Sequence, residues 1–216
     1  KYLSPSAINT WLNCRMKFYF TYVCGMPEEE KLEKEIDQRR FGNILHNVMM
    51  DLYSPMIGKG VTNNGISGIY SDNELIRKTI IENSSAEMKW SVPDLLAGKG
   101  VIIVDVLERY IKDILKYDKD LESLSLIHLE DKFACQVNAG TGATGGRVLI
   151  GGRVDRVDIT GELMRVVDYK TGTPKNNDVR SIEELFSEEN EKRNEAVLQT
   201  LIYCSVLASV YPGKVI

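Results

Sequence analysis

The stretch Val166-Val167-Asp168-Tyr169-Lys170-Thr171-Gly172 decides how this chain is interpreted. It follows the run Gly-Gly-Arg-Val-Asp-Arg-Val-Asp at 151–158 after a tight turn. Because side chains alternate between the two faces of a strand, Asp168 and Lys170 point the same way. The preceding strand brings Asp155 in as a second carboxylate. Two acids and a lysine on neighbouring strands predict metal-assisted hydrolysis of a phosphodiester.

These runs resemble the PD-(D/E)XK nuclease superfamily, in particular its RecB/AddB branch, which includes CRISPR-associated and replication-linked nucleases. In that branch a Gly-x-x-Asp-Arg-x-Asp strand leads into Asp-Tyr-Lys-Thr-Gly, as at 152–158 and 168–172. Three further signatures occur in the family's order: Leu-Ser-Pro-Ser at 3–6 before an aromatic helix, Gly-x-x-x-His at 42–46 and Gln-x-x-x-Tyr at 199–203. Each signature alone is weak, but the ordered set is specific and spans nearly the whole chain.

The resemblance implies three groups of site residues. The catalytic residues are Asp155, Asp168 and Lys170. The metal ligands are His46, Asp155, Asp168 and the backbone carbonyl of Tyr169. The residues that touch DNA or orient the site are Gln199, Tyr203 and Arg156.

The family pattern also assigns roles to the charged residues next to Asp155. By alternation, Asp155 shares a face with Arg153, and Arg156 shares one with Asp158. We expect Asp155 to bind metal, and Arg156 and Asp158 to form a network that is either structural or adjacent to the substrate. Glu130 is a further acid in a predicted strand, and no role is assigned to it.

The chemistry implied by these residues is hydrolysis of DNA, with exonuclease action expected. Carboxylate oxygens suit Mg²⁺ or Mn²⁺, and the softer histidine ligand favours Mn²⁺. Lys170 would position the attacking water or help to deprotonate it. Some members of this branch hold an iron–sulfur cluster with one early cysteine and three late ones. Cys14 stands near the first position, but three late cysteines are absent up to Ile216, so we expect no cluster within this chain.

Bulk properties are those of a globular protein. The chain has 216 residues, with 43% hydrophobic and 27% charged residues, and we expect one domain covering 1–216. A net charge of -4 argues mildly against a stand-alone DNA-binding domain, which is usually basic. It fits a nuclease module that borrows its hold on DNA from a helicase subunit or from a helicase domain of the same polypeptide. Because the chain begins at Lys1 and stops at Ile216, we interpret it as part of a longer polypeptide.

Four cysteines without metal-finger spacing indicate reduced thiols in a cytoplasmic protein. The sequence contains no apolar stretch long enough to cross a membrane and no signal-peptide pattern, so no membrane partner is expected.

The predicted fold is α/β, a restriction-endonuclease-like core with a small mixed β-sheet flanked by helices. A helical part covers 1–120, and a catalytic sheet and helix cover 121–216. Periodicity predicts helices over about 41–57, 72–92, 101–117 and 195–211, and strands over 124–137, 147–159 and 163–170. The segments 58–68, 140–146 and 171–194 are predicted loops, the last with a helical turn. The charge run 28–40 is predicted to be a solvated loop or helix end.

Three alternatives remain open. The Gly-rich segment 140–146 invites a phosphate-loop interpretation, but it lacks the Gly-Lys-Ser/Thr ending, and a hairpin loop is favoured. The aromatic residues near the N-terminus could stack on bases, although most are better explained as core: Trp11, Phe18, Tyr19, Phe20 and Tyr22. The whole chain could also be a module that binds DNA or a partner without cutting, or a CRISPR-adaptation nuclease.

Overall fold

The computed structural model describes residues 2–26, 38–140, 146–172, 179–186 and 193–216. The chain forms two compact units. The first comprises Lys1–Leu32, Lys132–Val154 and Thr173–Ile216, and the second comprises Glu33–Asp131 and Asp155–Gly172. Each unit therefore combines early and late parts of the chain. Division into a helical part and a sheet part at residue 120 stays a prediction.

Helices and a small sheet make up the described residues, and the predicted α/β class is confirmed. The helices are α1 (Pro5–Asn13), α2 (Arg15–Phe18), α3 (Gln38–Tyr53), α4 (Asn63–Ser71), α5 (Asn73–Met88), α6 (Val92–Leu95), α7 (Lys99–Lys119) and α8 (Glu195–Val210). A π-helical turn covers Tyr19–Val23, and 3-10 turns cover Ser54–Met56 and Ile182–Phe186. The strands are β1 (Leu124–Ala139), β2 (Gly146–Thr160) and β3 (Leu163–Val167). No helix within the described ranges is long and apolar enough to span a bilayer.

In the first unit, α1 begins at a capped N-terminus. The Ser4 hydroxyl accepts the Ala7 N–H at 3.1 Å, and Pro5 occupies the first turn. Just before this cap, Leu3 pairs with β2 through hydrogen bonds to Leu149 and Gly151. The bridge is parallel and isolated, whereas the three strands form a small antiparallel sheet in place of the mixed sheet that the sequence predicted.

The second unit holds the larger hydrophobic core. In α3 the buried stripe is Ile44, Leu45, Val48, Met49 and Leu52, and in α7 it is Val104, Leu107, Ile111 and Leu115. Their spacing of three and four residues is the helical period that places one face inward. Helix α3 packs on α5 and α7, so its position in the unit is fixed along its length.

Two predictions of the helical region were wrong. The segment 58–68 was expected to be a loop, but α4 begins at Asn63. The Asn63 amide donates to Leu121 O at 2.5 Å and accepts from Leu124 N at 2.9 Å, and Ile66 is fully buried. These tertiary contacts outweigh the poor helix propensity of glycine and asparagine. The helix predicted over about 72–92 ends at Met88, and Pro93 lies in the first turn of α6, which begins with a Ser91–Asp94 capping box.

The sheet has the order β1-β2-β3, and β2 and β3 form an antiparallel hairpin. Its register runs from Thr160↔Leu163 to Arg156↔Val167. The first two strands are confirmed, but β3 ends at Val167 instead of Lys170. One more step in this register would set Asp155 opposite Asp168, and facing like charges destabilise a strand pair. The Tyr169 N–H bonds instead to the Asp155 carboxylate, at 2.7 Å.

Some loop predictions fall partly outside the described residues. That is the case for 141–145 in the predicted hairpin loop and for 28–37 in the charge run. In the segment 171–194, residues 173–178 and 187–192 also lie outside the described residues, and the 3-10 turn Ile182–Phe186 is the helical turn that the sequence predicted.

Replacing either of two glycines of the second unit by alanine should change the stability of the fold, in opposite directions. A Cβ at Gly100 would lie 2.6 Å from the backbone Cα of Leu95, whereas a Cβ at Gly68 would meet nothing within 4 Å. We expect Gly100→Ala to destabilise the fold by about 1–3 kcal/mol through overpacking. Gly68→Ala should stabilise it by about 0.5–1 kcal/mol through helix propensity. Urea unfolding of both variants measures this, and equal effects would refute the close α6–α7 approach.

Candidate metal centre

Helix α3 presents His46 to two acids and a carbonyl of the second unit. Its Nδ1 lies 3.2 Å from Glu130 Oε1 and 3.5 Å from Asp155 Oδ1, and its Nε2 lies 3.1 Å from the carbonyl oxygen of Tyr169. Burial alone would lower the pKa of His46, but the hydrogen bond to Glu130 and the negative charge of Asp155 outweigh it and raise the pKa. The ring thus sits between groups that favour a positive charge at this point.

Asp155 is the most enclosed carboxylate of this group. It lies on β2 with its side chain 10% exposed, and its Oδ2 accepts the Tyr169 N–H. Burial raises the pKa of Asp155 from 3.8 to about 6; the charge of His46 opposes this rise, and the negative charge of Asp168 adds to it. Near neutral pH the site therefore holds an ionised carboxylate that burial disfavours.

Glu130 is the residue that sequence reasoning missed. Its carboxylate reaches His46 from β1 although its backbone has φ 52, a left-handed conformation that is uncommon outside glycine. The buried positions Leu124, Leu126 and Leu129 break the two-residue alternation just before it. Such a slip re-aims a side chain, and backbone outliers of this kind cluster at functional sites. The irregular leucine spacing is the sequence signal that could have drawn attention to Glu130.

His46, Glu130 and Asp155 can hold a cation together. One ligand atom of each lies within 4.8 Å of the ligand atoms of the other two. Two carboxylates, an imidazole nitrogen and a nearby backbone carbonyl are a donor set suited to Mg²⁺ or Mn²⁺. The raised pKa of Asp155 reflects chiefly the cost of burying its charged form, and a cation bound here would favour that form. The residues therefore fit the divalent metal that the sequence resemblance implied.

Asp168 and Lys170 form an ion pair beside this trio. Lys170 Nζ lies 2.7 Å from Asp168 Oδ2, so the two side chains do meet although the strand ends before them. The Asp168 side chain is 5% exposed, and that of Lys170 is 49% exposed. The effect of Asp168 on the pKa of Asp155 reflects the proximity of the two acids. Within the described part of the chain, the group of side chains close enough to share one ion does not extend to Asp168.

Arg156 is enclosed in a cluster of charges. Its side chain is 2% exposed, and its guanidinium binds Asp118 through two hydrogen bonds of 2.6 and 2.9 Å. Its Nε lies 2.8 Å from Asp158, which also accepts two hydrogen bonds from Arg165. The sequence left open whether Arg156 and Asp158 form a structural network or one adjacent to the substrate, and these contacts favour a structural network.

Gln199 and Tyr203 belong to the first unit and lie one turn apart on α8. Tyr203 is 5% exposed, and a Cβ at Gly152 would come within 3.1 Å of its hydroxyl oxygen. Glycine at 152 thus leaves room for this tyrosine against β2. Gln199 Nε2 lies 3.5 Å from the same hydroxyl.

The N-terminal aromatic residues are more exposed than the core interpretation predicted. Trp11 is 44%, Tyr19 51%, Phe20 43% and Tyr22 39% exposed, so for these four that interpretation was wrong. Arg15 stacks over the Trp11 ring at 5.2 Å. The sequence from 2 to 26 contains no acid, which sets this segment apart in a chain of charge -4.

Asp155 gives a prediction for the metal-free protein. Its pKa is higher in the folded than in the unfolded protein, so the buried carboxylate destabilises the fold when it is ionised. This destabilisation is absent below about pH 4 and fully present above about pH 6. We expect Asp155→Asn to raise the stability of the metal-free protein at pH 8 by about 1–3 kcal/mol, and to leave it nearly unchanged at pH 4. Urea unfolding at both pH values in EDTA measures the difference. Loss of stability at pH 8 would contradict this interpretation of the carboxylate.

Glu130 gives a second prediction, with a matched pair of variants. Both Glu130→Ala and Glu130→Gly remove the carboxylate, and both should weaken Mn²⁺ binding about 10-fold or more in calorimetry. Only glycine relieves the left-handed backbone, so Glu130→Gly should be the more stable by about 1 kcal/mol. Mn²⁺ affinity equal to that of the wild type in both variants would remove Glu130 from the site.

Comparison with known proteins identifies the family of this chain. A family model described as the PD-(D/E)XK nuclease superfamily matches residues 2–215. An ATP-dependent helicase/deoxyribonuclease subunit from Streptococcus agalactiae serotype Ia is 26% identical over 182 residues, which cover 80% of this chain and 14% of that protein. The protein of the same name from Moorella thermoacetica is 25% identical over 186 residues, 78% of this chain and 15% of that protein. The chain thus spans a small part of the length of these relatives. Since the family match runs over nearly the whole chain, this chain belongs to the PD-(D/E)XK nuclease superfamily, as its ordered motifs predicted.

Proposed function

We propose that this chain is a divalent-metal-dependent deoxyribonuclease that acts as an exonuclease within a recombination and repair helicase-nuclease. The observation that carries the proposal is the trio of half-buried His46 and Glu130 with buried Asp155, beside the Asp168–Lys170 pair. A buried acid with a pKa raised to about 6 next to a histidine and further acids is a common property of catalytic sites. Membership of a nuclease superfamily supports the same reaction class.

His46, Glu130 and Asp155 would hold the metal, with Asp168 and the Tyr169 carbonyl as the further ligands that the family pattern implies. Bound Mg²⁺ or Mn²⁺ would polarise the phosphate oxygens and lower the pKa of a bound water. Imidazole is a softer donor than carboxylate, so the histidine favours Mn²⁺. To bind through a ring nitrogen, His46 would have to give up its contact with Glu130 at Nδ1 or with the Tyr169 carbonyl at Nε2.

Lys170 is the residue we propose to act on the attacking water. Its ammonium group is paired with Asp168 at 2.7 Å and reaches the surface, with the side chain 49% exposed. An ammonium held there can orient a water molecule toward a phosphorus atom; to accept a proton from that water, Lys170 would first have to lose its own proton. Asp168 holds the ammonium in place, since its carboxylate is 5% exposed and is therefore enclosed by the surrounding residues.

DNA and a helicase are the proposed partners. Relatives are named as subunits of a helicase/deoxyribonuclease, and that name motivates both partners. The exposed aromatic residues at 11, 19, 20 and 22, with Arg15 in an acid-free segment, suit stacking on unpaired bases. The free cysteines Cys14, Cys24, Cys135 and Cys204 suit a reducing compartment, so we propose a cytoplasmic location.

The cleavage prediction uses a labelled linear DNA with Mn²⁺ or Mg²⁺. Lys170→Ala should reduce cleavage at least 100-fold while DNA binding in EDTA stays within about twofold of the wild type. Asp168→Ala should abolish cleavage and weaken Mn²⁺ binding together. Lys78→Ala, which removes an exposed lysine of α5 whose Nζ is 3.9 Å from Glu82 Oε1, should behave as the wild type and serves as the control.

Two results would overturn the proposal. Cleavage retained by Lys170→Ala would remove that lysine from the reaction. DNA binding by the wild type without cleavage under any metal would instead favour the alternative, a module of the same fold that binds DNA or a partner without cutting.

A further inference from the structure

A second polar cluster lies in the core of the second unit and contains none of the side-chain metal ligands. Its centre is Asp118, which is fully buried near the end of α7. The Tyr53 hydroxyl donates to Asp118 Oδ2 at 2.7 Å, and Arg156 donates to both carboxylate oxygens. Arg156 also donates to the Tyr169 hydroxyl at 3.0 Å. We call these four residues the Asp118 cluster: Tyr53, Asp118, Arg156 and Tyr169.

Helix α3, strand β2 and Tyr169 each contribute both to the candidate metal centre and to this cluster. Helix α3 carries His46 and, two turns later, Tyr53. Strand β2 carries Asp155 and, one residue later on the opposite face, Arg156. Tyr169 joins the two sites within a single residue, because its backbone contacts Asp155 and His46 while its hydroxyl contacts Arg156.

The contacts within the cluster hold the Arg156 guanidinium in one orientation. The Arg156 guanidinium lies 5.4 Å from the Tyr53 ring centroid and 5.8 Å from that of Tyr169, so it is stacked as well as hydrogen-bonded. The fork of two parallel bonds to Asp118 fixes its orientation. Burial raises the pKa of both phenols, which therefore stay protonated at neutral pH.

From this arrangement we infer that Asp118 is a positioning residue for the metal centre: through Tyr53 and Arg156 it fixes the relative positions of His46, Asp155 and the Tyr169 carbonyl. The inference rests on the proposed metal site. A helix that supplies no ligand would thus control the ligand geometry, as hydrogen-bonded groups behind metal ligands do in general. Displacement of Tyr169 by a fraction of an ångström would move both its carbonyl and the N–H that orients the Asp155 carboxylate.

The test uses substitutions that remove one hydroxyl and no charge. Asp118→Ala would leave Arg156 buried without its main partner and is expected to prevent folding, so it is not the decisive variant. Tyr53→Phe and Tyr169→Phe keep the rings and the charge balance of the cluster. Tyr117→Phe is the control, because Tyr117 is the neighbour of Asp118 on α7 but is 62% exposed.

The probe is Mn²⁺ alone, titrated by calorimetry into each folded variant at pH 7.5, with DNA cleavage measured in parallel. We expect Tyr53→Phe and Tyr169→Phe to weaken Mn²⁺ binding about 10-fold with unchanged stoichiometry, and to lower kcat while KM for DNA stays constant. Tyr117→Phe should bind Mn²⁺ as the wild type does. A purely structural role would lower the thermal midpoint and leave the Mn²⁺ affinity of the folded protein unchanged.

Mn²⁺ affinities within twofold of the wild type in both phenylalanine variants would overturn the inference while leaving the proposed function intact. No Mn²⁺ binding by the wild type would overturn the proposed metal site and, with it, the role of the Asp118 cluster.

Discussion

The structure depends on the burial of one carboxylate, that of Asp155. Its side chain is 10% exposed, it lies 3.5 Å from His46, and the register of the hairpin would bring Asp168 opposite to it. An ionised acid in such a place is disfavoured by lost hydration and by its acidic neighbours. The early end of β3, the hydrogen bond from Tyr169 N and the raised pKa of Asp155 are all consequences of that constraint. A divalent cation would relieve it, which is why we interpret the constraint as functional.

The rest of the second unit holds that unfavourable arrangement in place. The apolar stripes of α3 and α7 form the core, and the Asp118 cluster ties α3, α7, β2 and Tyr169 together by hydrogen bonds inside it. Two arginines and two acids, Arg156, Arg165, Asp118 and Asp158, balance one another in charge within this interior. Breaking such a buried network costs far more than it contributes over an apolar core, so its value lies in fixing positions. The Asp118 cluster and the proposed metal centre thus share α3, β2 and Tyr169.

Much of this could be predicted from the sequence, for identifiable reasons. The strands β1 and β2 and the helix α8 were found because each is long, with 16, 15 and 16 residues. Asp155, Asp168 and Lys170 were singled out because their runs resemble the family's motifs, and the side chains of Asp168 and Lys170 do meet, at 2.7 Å, although β3 ends before them. Helix α4 was missed because its glycines and asparagines read as a loop, and its stability comes from contacts to residues about 60 positions away, such as the Asn63–Leu124 bond.

The misses at the site have a shared cause. Glu130 was given no role because no motif marks it; its backbone is left-handed, and its carboxylate lies 3.2 Å from His46 Nδ1. Asp118 carries no motif and acts through a tertiary fork to Arg156, which no local pattern predicts. Anomalous diffraction from crystals grown with Mn²⁺ would test the proposed metal centre most directly. We expect a Mn²⁺ peak in contact with the carboxylate of Asp155 and the imidazole of His46, and a peak elsewhere, or none at millimolar Mn²⁺, would contradict it.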